Sequence, residues 1–310
     1  MTLASGKRTN QMRGKRIKKH WQLYLLFLVP LASVLIFSYG PMYGIVIAFK
    51  NYVVSDSIWG SKWAGLKHFR EFIGSYNFPR LMKNTVGISI YGLLAGFPVP
   101  IIFALLINEC PNVRFKKTVQ MVTYAPHFIS TVVMVSLIVM FLNPRSGILA
   151  KAITSMTGQR IDYISAPKFF KTIYVWSGVW QSMGFSAVIY IAALAGVDAS
   201  LHEAAVVDGA SKLQKICHVD LPSIMPTIVI LFILSFGSVM SVGYEKIYLM
   251  QNQLNMATSD VISTFVYRMG LLQAQYSFSA AVGLFNSVIN AALLVIVNQI
   301  ARRVGETSLW

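Results

Sequence analysis

Long apolar runs alternate with shorter polar segments along the whole chain. Six of these runs approach the roughly 20 residues that an α-helix needs to cross a lipid bilayer. The pattern predicts six spans, at residues 22–49, 84–107, 120–142, 172–195, 224–244 and 279–300. Within the second span, Gly96-Phe97-Pro98 is expected to interrupt the helix, because proline lacks the N–H that a helical hydrogen bond needs. The predicted fold class is therefore an all-α polytopic membrane protein.

Composition supports this class and argues against several others. Hydrophobic residues make up 55% of the chain and charged residues 12%, which is too apolar for an ordinary soluble domain. The two cysteines, Cys110 and Cys217, have neither disulfide-framework nor metal-site spacing. The five histidines are scattered, and no glycine-rich phosphate loop with its lysine is present. We therefore expect no catalytic residues, no metal site and no cofactor in this chain.

The charge pattern predicts how the chain is oriented. Seven basic residues and no acidic residue occupy 7–19, directly before the first span. Such a run is typical of a cytoplasmic anchor at anionic lipid, and we do not expect nucleic acid as a partner. The predicted organisation is a basic cytoplasmic segment (1–21), a six-helix domain (22–300) and a cytoplasmic tail (301–310). The loops on the other side carry excess positive charge, which fits an anionic ligand, a negatively charged partner protein or lipid headgroups.

A polar segment, 196–226, separates the fourth and fifth spans. Its first part predicts a short helix with Ser200 as the N-cap and a turn at Gly209. A second helix is expected to follow and to end at Leu221-Pro222. A compact pair of short helices between two spans is typical of a surface that docks a partner.

The same segment carries a spaced motif. Its residues are Glu203, Ala204, Ala205, Asp208, Gly209, Val219, Leu221 and Pro222. Residue types and spacing resemble the EAA loop of binding-protein-dependent ABC importer permeases, with Val219 where isoleucine is usual. Beyond the loop, the chain is similar to the polysaccharide and oligosaccharide branch of these permeases, to which alginate importer permeases belong. The similar segments are 65–69, 123–130, 243–250, 282–290 and 306–310.

This resemblance implies a type I importer permease fold in a bacterial inner membrane, with both termini cytoplasmic. It also implies a set of partners: a second homologous permease, two ATPase subunits that hold ATP and Mg, and an extracytoplasmic solute-binding protein. A coupling helix formed by the residues from Glu203 to Gly209 would lie in a groove of the ATPase. The residues implied in coupling are Glu203, Ala204, Ala205, Asp208 and Gly209.

A solute path through helices needs aromatic faces and polar side chains. The candidates for a saccharide path are Trp176, Trp180, Gln181, Gly184, Tyr244, Glu245, Asn286 and Asn290. Each of them also fits a role in helix packing or at the membrane interface. The cargo implied by the resemblance is an oligosaccharide or polysaccharide, with an acidic one such as alginate compatible with the positive outer loops and a neutral oligosaccharide as the alternative.

Two other classes of function remain open at this point. One is a carrier driven by an ion gradient, which is disfavoured because no span centre carries an evident Asp, Glu or His relay. The other is a membrane scaffold that only recruits a cytoplasmic partner.

Overall fold

The computed structural model describes residues 19–304 and 308–309, and they are mostly helical. The basic run at 7–18 and most of the predicted tail beyond residue 304 lie outside the described residues. The first part of the chain forms α1 (Trp21–Val34), a π-turn (Leu35–Tyr39), α2 (Gly40–Met42), a 3-10 helix (Tyr43–Phe49), β1 (Lys50–Asn51), a 3-10 turn (Val54–Asp56), α3 (Ser57–Gly60), β2 (Lys62–Trp63), α4 (Lys67–Ile73), α5 (Phe78–Gly96) and α6 (Pro98–Asn108). Strands β1 and β2 pair antiparallel, with Lys50 opposite Trp63.

The second part of the chain is entirely helical in its regular elements. It forms α7 (Val113–Tyr124), a 3-10 turn (Ala125–Phe128), α8 (Thr131–Leu142), α9 (Ile148–Thr157), α10 (Pro167–Ala195), α11 (Ala199–Val207), α12 (Lys212–Lys215), a π-turn (Ile216–Asp220), α13 (Leu221–Phe236), α14 (Tyr244–Met250), α15 (Met256–Ser259), α16 (Ile262–Tyr267), a π-turn (Arg268–Leu272) and α17 (Tyr276–Val304).

The described residues contain enough apolar helices for six spans. Five helical stretches are long and apolar enough to cross a membrane: Trp21–Phe49, Phe78–Asn108, Pro167–Ala195, Lys212–Phe236 and Tyr276–Arg303. A bent pair, Val113–Phe128 and Thr131–Leu142, whose two helices meet at 101°, raises the number to six when it is counted as one span. The all-α polytopic fold is therefore confirmed, with five to six spans among the described residues.

The bend corrects the prediction of one continuous third span over 120–142. Ile129 is extended, with φ −74° and ψ 128°, and Ser130 caps α8 by accepting a hydrogen bond from the Val133 N–H at 3.4 Å. Pro126 begins the short turn before the break. A proline and an N-cap serine are typical of helix boundaries. Hydropathy did not reveal this boundary, because the apolar run continues on both sides of it.

The fifth span also differs from its prediction. The helix continues through Leu221-Pro222 instead of ending there, because a π-turn precedes the proline and the Leu221 N–H bonds to the Ile216 oxygen five residues back. Such a bulge rearranges the backbone bonds beside the position where proline would break an α-helix. The span ends at Phe236, before Gly237, so Tyr244 begins a separate helix and is not the end of the fifth span.

Two spans begin earlier than predicted, and proline explains both. The second begins at Phe78 instead of 84, and the fourth begins at Pro167 instead of 172. Both helices have a proline in their first turn, where its missing N–H costs nothing. The predicted interruption of the second span is present, since α5 ends at Gly96 and α6 begins at Pro98.

Helix α10 is central to the packing. It contacts α5, α6, α7, α13 and α15. Near α11, the buried core includes Ile101, Leu105 and Ile224, packed with residues of α10. In contrast, none of the residues of α1 is buried, and the first span packs against α17 through its 3-10 end. The first span therefore leaves a long apolar surface for lipid or another chain.

Candidate functional site

The connection between α10 and the π-turn at the start of the fifth span, which we call the coupling loop (196–215), is compact and has well-capped helices. Asp198 is the N-cap of α11, and its carboxylate accepts a hydrogen bond from the Ser200 N–H at 3.0 Å. The prediction of Ser200 as the cap is therefore wrong, because the helix begins two residues earlier. This hydrogen bond also lowers the pKa of Asp198. After α11, Gly209 turns the chain at φ +73°, a conformation that favours glycine.

A capping box fixes the start of the following helix. The Ser211 N–H donates to Gln214 Oε1 at 2.7 Å, and the Gln214 N–H donates to Ser211 Oγ at 3.4 Å. The predicted turn at Gly209 is thus followed at once by a capped helix that runs into the fifth span. The turn at Gly209 is therefore joined to the fifth span by a single helical stretch, Lys212–Phe236.

Ion pairs hold the coupling loop to the bundle. His202 Nε2 lies 3.5 Å from Asp220 Oδ1, which joins α11 to the π-turn at the start of the fifth span. Lys215 Nζ lies 3.4 Å from Glu109 Oε1, which joins α12 to the end of the second span. Asp220 is fully buried, and neither of its carboxylate oxygens accepts a hydrogen bond from a described residue. Loss of His202 would therefore remove the imidazole that faces this buried carboxylate.

The outer surface of the coupling loop is apolar and uncovered. Val206, Val207 and Leu213 are 64%, 87% and 71% exposed. Glu203 and Asp208 are exposed beside them. An apolar patch rimmed by charged residues is typical of a protein-docking surface. Sequence reasoning missed the valines and the leucine, although their place within and beside the motif could have identified them.

The reassigned cap gives a first test. Asp198→Ala is expected to speed amide hydrogen exchange in the first turn of α11 roughly fivefold, because the N-terminal N–H groups lose their acceptor. Ser200→Ala is the matched control, since it keeps the backbone N–H that bonds to Asp198. Equal exchange in the two variants, measured by mass spectrometry, would contradict the assignment of Asp198.

Three of the predicted path residues on α10 contact other spans. Trp176 Nε1 donates to Tyr91 Oη at 2.8 Å, and Gln181 Nε2 donates to the Ile129 oxygen at 2.8 Å. Gly184 packs against the backbone of Thr123 on α7 so closely that no Cβ fits between them. Gln181 and Gly184 thus hold both sides of the bend in the third span. Trp180, on the same helix, is about half exposed.

The remaining path candidates lie apart from one another. Asn290 on α17 is buried, accepts from the Met240 N–H at 2.8 Å and donates to Ser241 Oγ at 2.9 Å. Asn286, one turn earlier, has a buried Oδ1 without a hydrogen-bond partner among the described residues. Tyr244 lies on α14 against the rings of Tyr248 and Tyr267, and the neighbouring Glu245 is exposed. A solute contact at any of these positions stays a prediction.

A large cavity lies between α5, α6, α10 and α13. It measures about 640 Å³, and its walls include Gly92, Gly96, Ser186, Ser235 and Ser238. None of the predicted path residues lines it. A second cavity of about 230 Å³ shares Gly92, Ser235 and Ser238 with it. In a sequence of this composition, a glycine or a serine within a span does not by itself indicate a cavity wall. These wall residues were therefore not predicted.

Among the described residues, no group of three or more His, Cys, Asp or Glu side chains is arranged to hold a metal ion.

Comparison with known proteins agrees with this geometry. Residues 96–306 match the family described as binding-protein-dependent transport system inner membrane component. Protein LplB of Bacillus subtilis (strain 168) is 39% identical over 308 residues, covering 99% of this chain and 96% of that protein. The polygalacturonan/rhamnogalacturonan transport system permease protein YteP of the same organism is 39% identical over 288 residues, covering 93% and 90%.

The fold also matches a solved structure. In the crystal structure of a bacterial alginate ABC transporter in complex with an alginate pentasaccharide-bound periplasmic protein, one chain has a TM-score of 0.86 and 38% identity. The match covers 95% of this chain and 99% of that chain. The chain therefore belongs to the family of binding-protein-dependent transport system inner membrane components, and it is a non-catalytic membrane permease subunit of an ABC transporter.

Proposed function

We propose that this chain is one permease half of an ATP-driven importer that carries an acidic oligosaccharide or polysaccharide into the bacterial cytoplasm. The observation that carries this proposal is the full-length likeness to a chain of an alginate transporter, at a TM-score of 0.86. The relative named for polygalacturonan and rhamnogalacturonan transport supports the same substrate class, because polygalacturonan is also a polyuronate.

The proposed partners are a second homologous permease, two ATPase subunits with their ATP and Mg, and an extracytoplasmic solute-binding protein. The coupling loop is the proposed ATPase contact. Glu203 would pair with the ATPase, Ala204 and Ala205 would allow close approach, and the exposed Val206 and Val207 would be covered. Both chain termini are proposed to be cytoplasmic, as the basic run at 7–19 favours.

In this proposal, closure of the ATPase subunits would shift α11 and the rest of the coupling loop together. The contact between His202 and Asp220 would carry this shift to the fifth span. The ion pair between Lys215 and Glu109 would carry it to the second span. The bundle would then change between inward-facing and outward-facing states, as a two-state element biased by ATP.

The direct test is ATPase activity of the complete complex in liposomes with its binding protein. Uronate oligomers are expected to stimulate hydrolysis selectively over neutral oligosaccharides. Stimulation by neutral oligosaccharides alone would replace the proposed cargo with the alternative, which the 23% identity to an arabinooligosaccharide permease of Bacillus subtilis favours. If no ATPase co-purifies with the chain, the coupling role fails as well.

A further inference from the structure

Three lysines belong to three neighbouring helices at the end of the bundle away from the coupling loop. Lys83 belongs to α5, Lys171 to the beginning of α10, and Lys246 to α14. Lys246 Nζ donates to the backbone oxygen of Tyr174 at 3.0 Å, about one helical turn from Lys171. Lys83 lies about one helical turn before Gly87, against which the Lys171 amine packs. We call these three residues the lysine cluster.

Two glycines leave space for the amines of this cluster. Lys171 Nζ lies 3.0 Å from the position that a Cβ would take on Gly87. Lys246 Nζ lies 3.3 Å from the corresponding position on Gly178. Both lysines are half-buried. The helices therefore approach one another in a way that accommodates charged groups between them.

The charge of the cluster is not balanced within the described part of the chain. None of the three amines forms an ion pair with a carboxylate there. The neighbouring arginines are different, since Arg80 and Arg268 lie 3.2 Å and 2.9 Å from the fully buried carboxylate of Asp260. Unpaired cations in a half-buried, low-dielectric setting cost free energy, which an anion from outside the chain would recover.

One residue that bonds to the cluster also lines a cavity. Tyr174, whose backbone oxygen accepts from Lys246, lines the cavity of about 230 Å³, as does Gly243, whereas the three lysines are not among its wall residues. Ser89 lines the same cavity, and its Oγ is buried without a hydrogen-bond partner among the described residues. Gly92 and Ser235 line both this cavity and the one of about 640 Å³. Tyr174 therefore connects Lys246 to a pair of adjoining cavities, which we call the passage.

We propose that the lysine cluster is a binding site for the carboxylate groups of an acidic oligosaccharide as it enters this passage. The site rests on the proposed function and assigns its acid selectivity to Lys83, Lys171 and Lys246. A lysine ammonium attracts a carboxylate as a point charge with rotatable donors, so it tolerates sugar rings that arrive in different orientations. The free Ser89 hydroxyl offers a hydrogen bond to the same sugar.

The test is the KM for uronate oligomers in the complete reconstituted importer. Lys171→Gln and Lys246→Gln are each expected to raise this KM about tenfold, because each removes an attractive charge. Lys168→Gln is the matched control, since Lys168 is on the same helix but exposed. Lys171→Arg and Lys246→Arg keep the charge and are expected to stay within about threefold of the original KM.

Salt separates an electrostatic role from a structural one. The KM of the unchanged importer is expected to rise between low and physiological ionic strength, and this rise should be smaller in the two glutamine variants. If both variants match Lys168→Gln in KM and in salt response, the lysines only contact lipid phosphates or packing neighbours and the site is overturned. If the unchanged importer transports no uronate oligomer, the proposed cargo itself fails, and the site with it.

Lys246 adds a pH dependence. Burial lowers the pKa of Lys246 to about 8, so its charge is present near pH 7 and is lost as the pH rises. Tyr174 contacts Lys246 directly. The other titratable groups on its own helix and on the elements packed against it are Tyr244, Glu245 and Tyr248 on α14, Lys171 on α10 and Tyr267 on α16, while α8 contributes none. The KM for uronate oligomers is expected to rise about fivefold between about pH 7 and 9. Lys246→Arg should remove most of this rise, and an unchanged rise in that variant would exclude Lys246.

Discussion

Gly209→Val is expected to uncouple ATP hydrolysis from transport and to reduce uptake by roughly tenfold or more, while the protein still inserts into the membrane. Gly209 has φ +73°, and a β-branched residue is strongly disfavoured there. A Cβ at this position meets nothing in the chain itself. The effect therefore comes from a changed path between α11 and α12 and from a new side chain at the proposed ATPase contact.

A second glycine provides the control for backbone strain. Gly158 ends α9 at φ +70°, and a Cβ there also meets nothing within 4 Å. Gly158→Val thus introduces the same local strain away from the coupling loop. Uptake and ATPase activity are measured side by side in liposomes. For Gly158→Val, both are expected to fall only slightly and by the same factor. Equal losses of uptake in the two variants would mean that strain alone, and not the coupling loop, causes the defect.

The coupling loop shows how much of a site a spaced motif can predict. The motif residues, the short helix and the turn at Gly209 are all visible in the sequence, because each depends on local chemistry. The cap was misassigned by two residues, since Asp198 and Ser200 are both good N-cap residues. The ion pairs of His202 and Lys215 could not be predicted, because their partners Asp220 and Glu109 come close only in the folded bundle.

The spans show a similar limit. Hydropathy predicted the positions of most spans and most of their extent, because crossing a bilayer requires long apolar runs. It did not predict the 101° bend in the third span, since an apolar run continues across the break. The carbonyl of Ile129, which the bend leaves outside a helix, is bonded by Gln181 from another span. A bend that is stabilised by a contact with another span is difficult to predict from the residues around the bend.

The solute path was the least predictable part. The sequence drew attention to large aromatic and amide side chains, while the cavity walls are formed largely by glycine, serine and aliphatic residues. Two of the predicted residues, Trp176 and Gln181, instead bond to neighbouring spans. Small residues leave space between helices because their side chains are short. The position of such a cavity can be seen only when the neighbouring helices are in place.

Gly184→Ala is expected to destabilise the folded permease by about 3 kcal/mol, at the upper end of the cost of overpacking. The added Cβ would overlap the Thr123 carbonyl oxygen and lie 2.5 Å from the carbonyl carbon. Because both partners are helix backbone, α10 and α7 would have to separate. Gln181, one turn before Gly184, bonds Ile129 beyond the bend, so the separation would also loosen the bend itself.

Gly283→Ala is the matched control, because Gly283 is also within a spanning helix and its Cβ would meet nothing within 4 Å. Thermal unfolding in detergent should show a marked fall in the midpoint for Gly184→Ala and an unchanged or slightly higher midpoint for Gly283→Ala. Equal midpoints would show that α7 can move away from α10 at little cost. The bend in the third span would then be held by Gln181 and the Ser130 cap, and not by the close approach of the two helices.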